Sequence, residues 1–223
     1  MATSRFEHPS AAPIVLLLPD MDAGRIGYWQ DHWAASRLDC MCVDMGAARR
    51  PDRNSWVTRL DQAIRGLDAP ILLVGHGTGA LTIAWWSELL GQEVEANIIG
   101  ALLIAPPDPA AAEGDERMHA FAPLPRTILP FPSLVVASEN DATVSIDRAF
   151  SIAREWGAGF ARFGACGHFG TGDGIGPWPQ GEQLLDSFID LIEPGPIRPV
   201  RSDSTFFSGW SPQSGQPSRQ FRR

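Results

Sequence analysis

Ile71-Leu-Leu-Val-Gly-His-Gly-Thr-Gly-Ala-Leu-Thr-Ile-Ala-Trp-Trp86 passes from an unbroken apolar run, through three alternate glycines, into a helical pattern. The apolar run reads as a strand buried on both faces, and the glycines as a sharp turn feeding a helix directly. Two motifs fit this turn. Gly75-His76-Gly77-Thr78-Gly79 has the frame of Gly-x-Ser-x-Gly, in which flanking glycines let a tight turn project its central side chain above the sheet. Here His76 fills the variable place, and the centre is Gly77, which has no hydroxyl. Gly75-x-Gly77-x-x-Ala80 also satisfies Gly-x-Gly-x-x-Gly/Ala, the dinucleotide fingerprint. That fingerprint belongs after a first strand, with an acid about 20 residues on. This turn follows a third apolar run, and Asp108 lies more than 30 positions beyond Gly75.

Working outward, short apolar runs alternate with amphipathic stretches. Ile14–Leu18, Cys40–Met45, Ile71–Val74, Ile98–Ala105, Ser133–Ala137 and Phe160–Phe163 read as strands. Their continuous hydrophobicity marks a parallel sheet covered on both sides. Asn54–Leu67 reads as a helix with Val57, Leu60, Ile64 and Leu67 inward, behind Asn54 or Ser55 as N-cap. Ser145–Trp156 presents Ile146, Ala149, Phe150, Ala153 and Trp156, and Gly181–Ile192 presents Leu184, Leu185, Phe188, Ile189 and Ile192. The fold class is therefore α/β, a three-layer sandwich around a mostly parallel sheet of about six strands. Pro106–Pro130, with its six prolines, breaks the rhythm. It reads as an irregular excursion over the carboxyl edge of the sheet that shapes the pocket, where such folds keep ligands.

The 223 residues carry a net charge of −8, and every basic residue is arginine. Without lysine there is no Schiff-base nucleophile, pyridoxal anchor or P-loop lysine. The charge is uneven. Residues 194–223 hold five arginines and one acid in a Ser/Pro/Gly/Gln-rich context, so the body is more acidic than the whole. The reading is a flexible 1–12, a folded 13–193 and a disordered tail at 194–223. The acidic body argues against nucleic acid as a partner. The absence of a long apolar run argues against a membrane. Tail arginines with Phe206, Phe207, Trp210 and Phe221 either dock on an acidic surface or form a solvated extension. Cys40, Cys42 and Cys166 are too sparse for a disulfide framework, which suits a cytoplasmic location. Asp44, Asp52 and Asp108 lie near strand ends without metal-ligand spacing, so no metal or other cofactor is expected. His8, His32 and His119 read as surface or helix residues, and Trp29, Trp33, Trp85 and Trp86 as core aromatics.

Ser-His-acid hydrolases of this strand pattern place nucleophile, acid and histidine in that chain order, each after a later strand. Ser138-Glu-Asn-Asp141 follows the fifth run, and Gly164-Ala-Cys-Gly-His168 follows the sixth. Further segments are Tyr28-Trp-Gln-Asp-His-Trp33, Trp56–Leu60, Leu102–Asp108, Phe121–Pro125, Leu129–Ser138 and Gly167-His168 running on to Gly176-Pro-Trp-Pro179. Together they resemble the small serine hydrolases of the retinoblastoma-binding-protein-nine type, a compact branch of the α/β-hydrolase superfamily. The similarity spans roughly Pro13 to Ile192.

The resemblance implies an ester-, amide- or peptide-type small-molecule ligand. It puts the nucleophile position at Gly77, the acid at Asp141 and the base at His168. The elbow is Gly75, His76 and Gly79, and the oxyanion hole is built from the N–H groups of Thr78 and the Pro19–Met21 loop, with Asp20 and Met21. Two residues depart from the pattern: Gly77 replaces serine, and Asp20 stands where glycine is common. A carboxylate at an oxyanion hole opposes acyl transfer unless it turns away or is protonated. Thr78, starting the helix, is expected to point its side chain elsewhere. Cys166 lies too near His168 in one loop for a Cys–His pair. Three readings stay open: a hydrolase with impaired acyl-serine chemistry, a non-catalytic ligand- or protein-binding module, and dinucleotide binding. Asp141 and His168 also admit a purely structural ion pair.

Overall fold

A computed structural model describes residues 12–23, 27–46, 51–89, 97–111 and 116–192. The expectations for the N-terminus and the 194–223 tail fall outside these residues, apart from Ala12. Six strands, β1 (Ile14–Leu18), β2 (Cys40–Cys42), β3 (Ile71–His76), β4 (Ile98–Ile104), β5 (Ser133–Ala137) and β6 (Gly159–Arg162), form one sheet. Their order is β2-β1-β3-β4-β5-β6, and every pairing is parallel. Five helices connect or follow them: α1 (Trp29–Ser36), α2 (Arg53–Arg65), α3 (Thr78–Leu89), α4 (Ile146–Glu155) and α5 (Pro179–Ile192). Among the described residues no helix is long and apolar enough to cross a membrane.

The period-2 geometry of a strand explains the unbroken apolar runs. Leu16, Leu18, Leu73, Leu103 and Val135 pack under α2, α3 and α4. Their neighbours Val15, Leu17, Val74, Leu102 and Val136 pack under α1 and α5. A sheet with helices on both faces has no solvent side, so no alternation is visible in the sequence.

Local chemistry moves several boundaries. The N-cap of α2 is Asp52, whose carboxylate accepts from Ser55 N at 2.8 Å, rather than Asn54 or Ser55. In α4, Ser145 caps by accepting from Arg148 N, and Trp156 closes the helix. The inward face includes Ile152, fully buried, whereas Phe150 is 48% exposed and rests edge-on against Phe160. Strand β2 is shorter than its apolar run because it is an edge strand that pairs only with Val15–Leu17 of β1. Within the described part of the proline-rich excursion, Phe121 folds back over α2 and α3, while Asp108, Pro125 and Leu129 bond residues of α4 and its C-cap. Phe121 meets Trp56 edge-on, and its carbonyl accepts from Trp85 Nε1 at 2.8 Å.

The chain leaves β1 toward β2 on one side and later places β3 on the other. The carboxyl ends of β1 and β3 therefore bound the switch-point crevice in which such sheets bind ligands. The loops after both strands meet there.

Ile152→Ala is expected to cost about 2–5 kcal/mol, the usual range for truncating a buried branched side chain. Phe150→Ala removes an aromatic pair that is half in solvent and is expected to cost no more than about 1.5 kcal/mol. Urea unfolding of the two variants would reveal an error in this helix register if Phe150→Ala proved the more damaging.

Candidate active site

Each glycine of the 75–79 turn answers to a contact. A side chain on Gly75 would strike Ala80 N of α3 and Ile83, and one on Gly79 would strike the Leu18 and Pro19 carbonyls at the end of β1. Helix and strand approach so closely only because neither position has a Cβ. Gly77 sits at the apex in the left-handed region, φ +54°, with its N–H donating to Ile104 O at 2.9 Å. A Cβ built on Gly77 would overlap the carboxylate of Asp20. The space in which a side chain of residue 77 would begin is filled by a residue from the neighbouring loop.

Asp20 does not turn away. Its Oδ1 accepts from Thr78 N and from Thr78 Oγ1, each at 2.9 Å. The Thr78 hydroxyl in turn accepts from Met21 N at 2.8 Å, and Asp20 N donates to the Tyr28 hydroxyl at 3.3 Å. The Thr78 side chain, expected to point elsewhere, is therefore fully buried inside the site and spends its one hydrogen on Asp20. All three N–H groups assigned to an oxyanion hole, those of Asp20, Met21 and Thr78, have partners within the protein. Burial by itself would raise the Asp20 carboxyl. The facing imidazoles of His76 and His168 and the two Thr78 hydrogen bonds reverse that and hold it below the ordinary carboxylate range. The same carboxylate sits at the N-terminus of α3, where a dinucleotide's pyrophosphate would need to lie.

His76 is 1% exposed and carries a fixed tautomer. Its Nε2 lies 2.6 Å from the His168 carbonyl, which can only accept, so Nε2 bears the hydrogen. Nδ1 then accepts from Tyr28 Oη at 2.6 Å. Burial pushes His76 down to about 4, which keeps it neutral near pH 7. His76 thus ties the elbow strand to the histidine loop and to Tyr28.

Asp141 and His168 come together from the loops after β5 and β6. His168 Nδ1 lies 2.9 Å from Asp141 Oδ2, and Asp141 Oδ1 accepts from Thr143 N and Thr143 Oγ1 at 2.8 Å. His168 Nε2 faces Asp20 Oδ2 at 4.0 Å. The imidazole thus lies between two carboxylates. Burial lowers its proton affinity, but the Asp141 hydrogen bond and charge, then the charges of Asp20 and Asp173, overcome this and raise it above the ordinary histidine value.

The histidine loop is clamped at several points. Asp173 accepts from His168 N and Gly170 N, Ser138 Oγ accepts from Cys166 N, and Asn140 Oδ1 accepts from Gly167 N. Phe169 and Trp178 hold left-handed φ values of +57° and +53°, rare for bulky residues. Both are buried against Trp29, whose Nε1 donates to Phe169 O at 3.2 Å, while Trp33 Nε1 donates to Pro177 O. Helix α1 is therefore the anvil on which the histidine loop is set. Tyr28 and Asn140 stand in the segments quoted above without an assigned role, and neither Thr143 nor Asp173 carries one there.

A cleft of about 160 Å³ opens over Asp20, Tyr28, His76, His168 and Gly170–Gly172, with Asp22 and Ala23 at its side. The described part of the 106–130 excursion does not line it, contrary to the expectation from its position. Its Arg117 pairs with Asp22, at the side of the cleft, at 2.9 Å. A second cleft, of about 350 Å³, lies between β2 and α2 and contains none of these residues. The three aspartates considered for a metal are dispersed. Asp52 caps α2, Asp108 pairs with Arg148 at 2.7 Å, and Asp44 pairs with Arg59 at 3.7 Å. Cys166 Sγ approaches Phe163 O at 3.2 Å, and burial raises its thiol.

The profile of the serine hydrolase family matches residues 15–187. Among solved structures, a YdeN-like protein of Pectobacterium atrosepticum is 27% identical, with TM-score 0.69 over 80% of this chain and 91% of that one. The ydeN gene product of B. subtilis is 17% identical, with TM-score 0.65 over 80% of this chain and all of that one. Thermogutta terrifontis esterase 2 is 18% identical, with TM-score 0.59 over 81% and 83%. The sequences of curated proteins give no match.

The two histidines are expected to separate in an NMR titration. His76 stays neutral, with its hydrogen on Nε2, down to about pH 4, whereas His168 titrates above 6.5. Because the folded value of His168 is raised, its stabilisation is fully present below about pH 6.5 and is lost as pH rises through the folded value. The stability gap between wild type and Asp141→Asn should therefore narrow on the alkaline side. A gap that widened there would contradict the assignment.

Proposed function

The chain belongs to the serine hydrolase family, and from that premise we propose that it is a hydrolase-type protein, of the retinoblastoma-binding-protein-nine type, in which the acyl-serine route to esters and amides is closed. Gly77 stands at the nucleophile position, Asp141 and His168 are the acid and base, and Thr78, Asp20 and Met21 form the former oxyanion hole. The observation that carries this reading is the Asp20 carboxylate, which overlaps the place of a residue-77 side chain and takes the Thr78 N–H. Loss of a triad nucleophile costs on the order of 10⁶ in turnover. An anion already held at the oxyanion donors adds to that, since a lost donor costs about 10²–10³. The two departures from the family pattern are thus one substitution in three dimensions: a serine at 77 and an aspartate at 20 compete for the same volume.

A second reading, a ligand-binding module without turnover, draws on the same fact. With all three loop N–H groups satisfied internally, the cleft is complete without a reacting ligand. Such a protein would gain thermal stability from a ligand it never converts.

A fluorophosphonate probe and p-nitrophenyl acetate test the main reading. Wild type is expected to stay unlabelled, and Gly77→Ser alone to gain little, because Asp20 still fills the site. Gly77→Ser combined with Asp20→Gly should label near one equivalent and exceed the single variant in ester hydrolysis by at least about 10²-fold. Stoichiometric labelling of the wild type, or strong recovery in Gly77→Ser alone, would show that the acyl route is open.

A further inference from the structure

We propose that Asp20 is itself a nucleophile, and that the site hydrolyses small alkyl electrophiles bearing a halide or sulfonate leaving group through an alkyl-aspartate ester. This rests on the preceding reading, that no acyl-serine forms at Gly77. The geometry assigns different tasks to the two carboxylate oxygens. Oδ1 is held by Thr78 N and Thr78 Oγ1. Oδ2 has no hydrogen-bond partner among the described residues, and Asp20 lines the cleft with His168 Nε2 at 4.0 Å. One oxygen is anchored and the other is presented.

That arrangement selects the substrate class. An acyl substrate attacked by Oδ2 would develop an oxyanion on its own carbonyl oxygen, and the N–H groups of Asp20, Met21 and Thr78 are already engaged. Displacement at a saturated carbon develops no such oxyanion. In the first step Oδ2 forms a bond to carbon, the carbon–halogen bond breaks, and the halide leaves with the electron pair. The product is an ester whose carbonyl oxygen, Oδ1, already sits on the Thr78 donors. In the second step His168 takes a proton from water as its oxygen attacks Cγ of Asp20. The oxyanion then forms on Oδ1, between the Thr78 N–H and hydroxyl, where stabilisation is in place beforehand. Collapse breaks the Cγ–Oδ2 bond, and the alcohol departs with Oδ2 and the proton from His168. Asp20 is regenerated with one oxygen from water. The balance is alkyl halide plus water to alcohol, halide and a proton.

The charges favour this order of events. In the resting site the Asp20 charge, after Asp141, is one of the groups that raise the proton affinity of His168. Alkylation removes that charge and so lowers the proton affinity of His168 at the stage where a base is needed to cleave the ester. The cleft of about 160 Å³ limits the alkyl group to a short chain.

1-Bromobutane and the full chain provide the test. Wild type should release bromide, with at least about a 10²-fold loss in Asp20→Asn. His168→Gln should accumulate one butyl group, mapped by mass spectrometry to Asp20. In H₂¹⁸O, a single turnover of wild type should leave ¹⁸O in the Asp20 carboxylate and none in the butanol, a signature that needs no variant to fold. Absence of both bromide release and adduct would overturn the proposal, as would alkylation at Cys42, Cys166 or His168 in place of Asp20, or ¹⁸O in the alcohol. Fluorophosphonate labelling is run in parallel. Silence there together with a negative bromobutane result refutes the aspartate nucleophile alone, while stoichiometric labelling of wild type refutes the reading beneath it.

Discussion

The hydrogen bonds from Thr78 N–H and O–H to the Asp20 carboxylate join the first and third strands at the mouth of the sheet. They exist because position 77 has no side chain, and they leave the Asp20 carboxylate ionised at the start of α3. Everything else in the site is arranged around that buried charge. Tyr28 receives the N–H of the same residue and donates to His76, and His168 turns its free nitrogen toward the carboxylate. A buried anion is tolerated only when it is paired and hydrogen-bonded. Here the donors are those that an acyl-transfer enzyme would keep for its transition state.

The histidine is placed by a different means. The segment from Phe163 to Trp178 has only a short 3-10 turn of regular structure, yet it must hold an imidazole within hydrogen-bond distance of Asp141. Aromatic packing replaces the missing secondary structure. Trp29, Trp33, Phe169 and Trp178 pack edge-on, tilted or stacked with centroids 4.6–5.7 Å apart, and the ring nitrogens of Trp29 and Trp33 capture loop carbonyls. The left-handed backbone at Phe169, beside the histidine, is held by this burial.

Much of the architecture was legible because it depends on local rules. Six apolar runs between amphipathic helices imply a covered parallel sheet, and five of the six strands lie where the runs do, with β2 cut short only because it is an edge. The positions of Asp141 and His168 after β5 and β6 follow from chain order, and the fold brings the two within 2.9 Å of each other, with His168 facing Asp20. The inward face of α4 was less legible. Phe150 and Ile152 both fall near the boundary of the apolar stripe, and only the seat available against the sheet chose Ile152. The excursion at 106–130 was hard to place for a related reason: in its described part Phe121 packs against Trp56 and Trp85 of α2 and α3, and Pro125 and Leu129 bond Trp156 at the end of α4.

The sequence by itself determined a parallel α/β sheet, an elbow lacking a hydroxyl, and an aspartate in the loop after the first strand. These follow from periodicity and residue identity, which are properties of neighbours in the chain. What Asp20 does lay beyond it, because Asp20 and Gly77 are 57 positions apart and meet only where β1 and β3 pair. Tertiary structure decided that the carboxylate occupies the empty side of Gly77, that Thr78 turns inward to hold it, and that one of its oxygens faces His168. The volume left by a missing side chain belongs to no single residue; it is set by which elements the fold packs together.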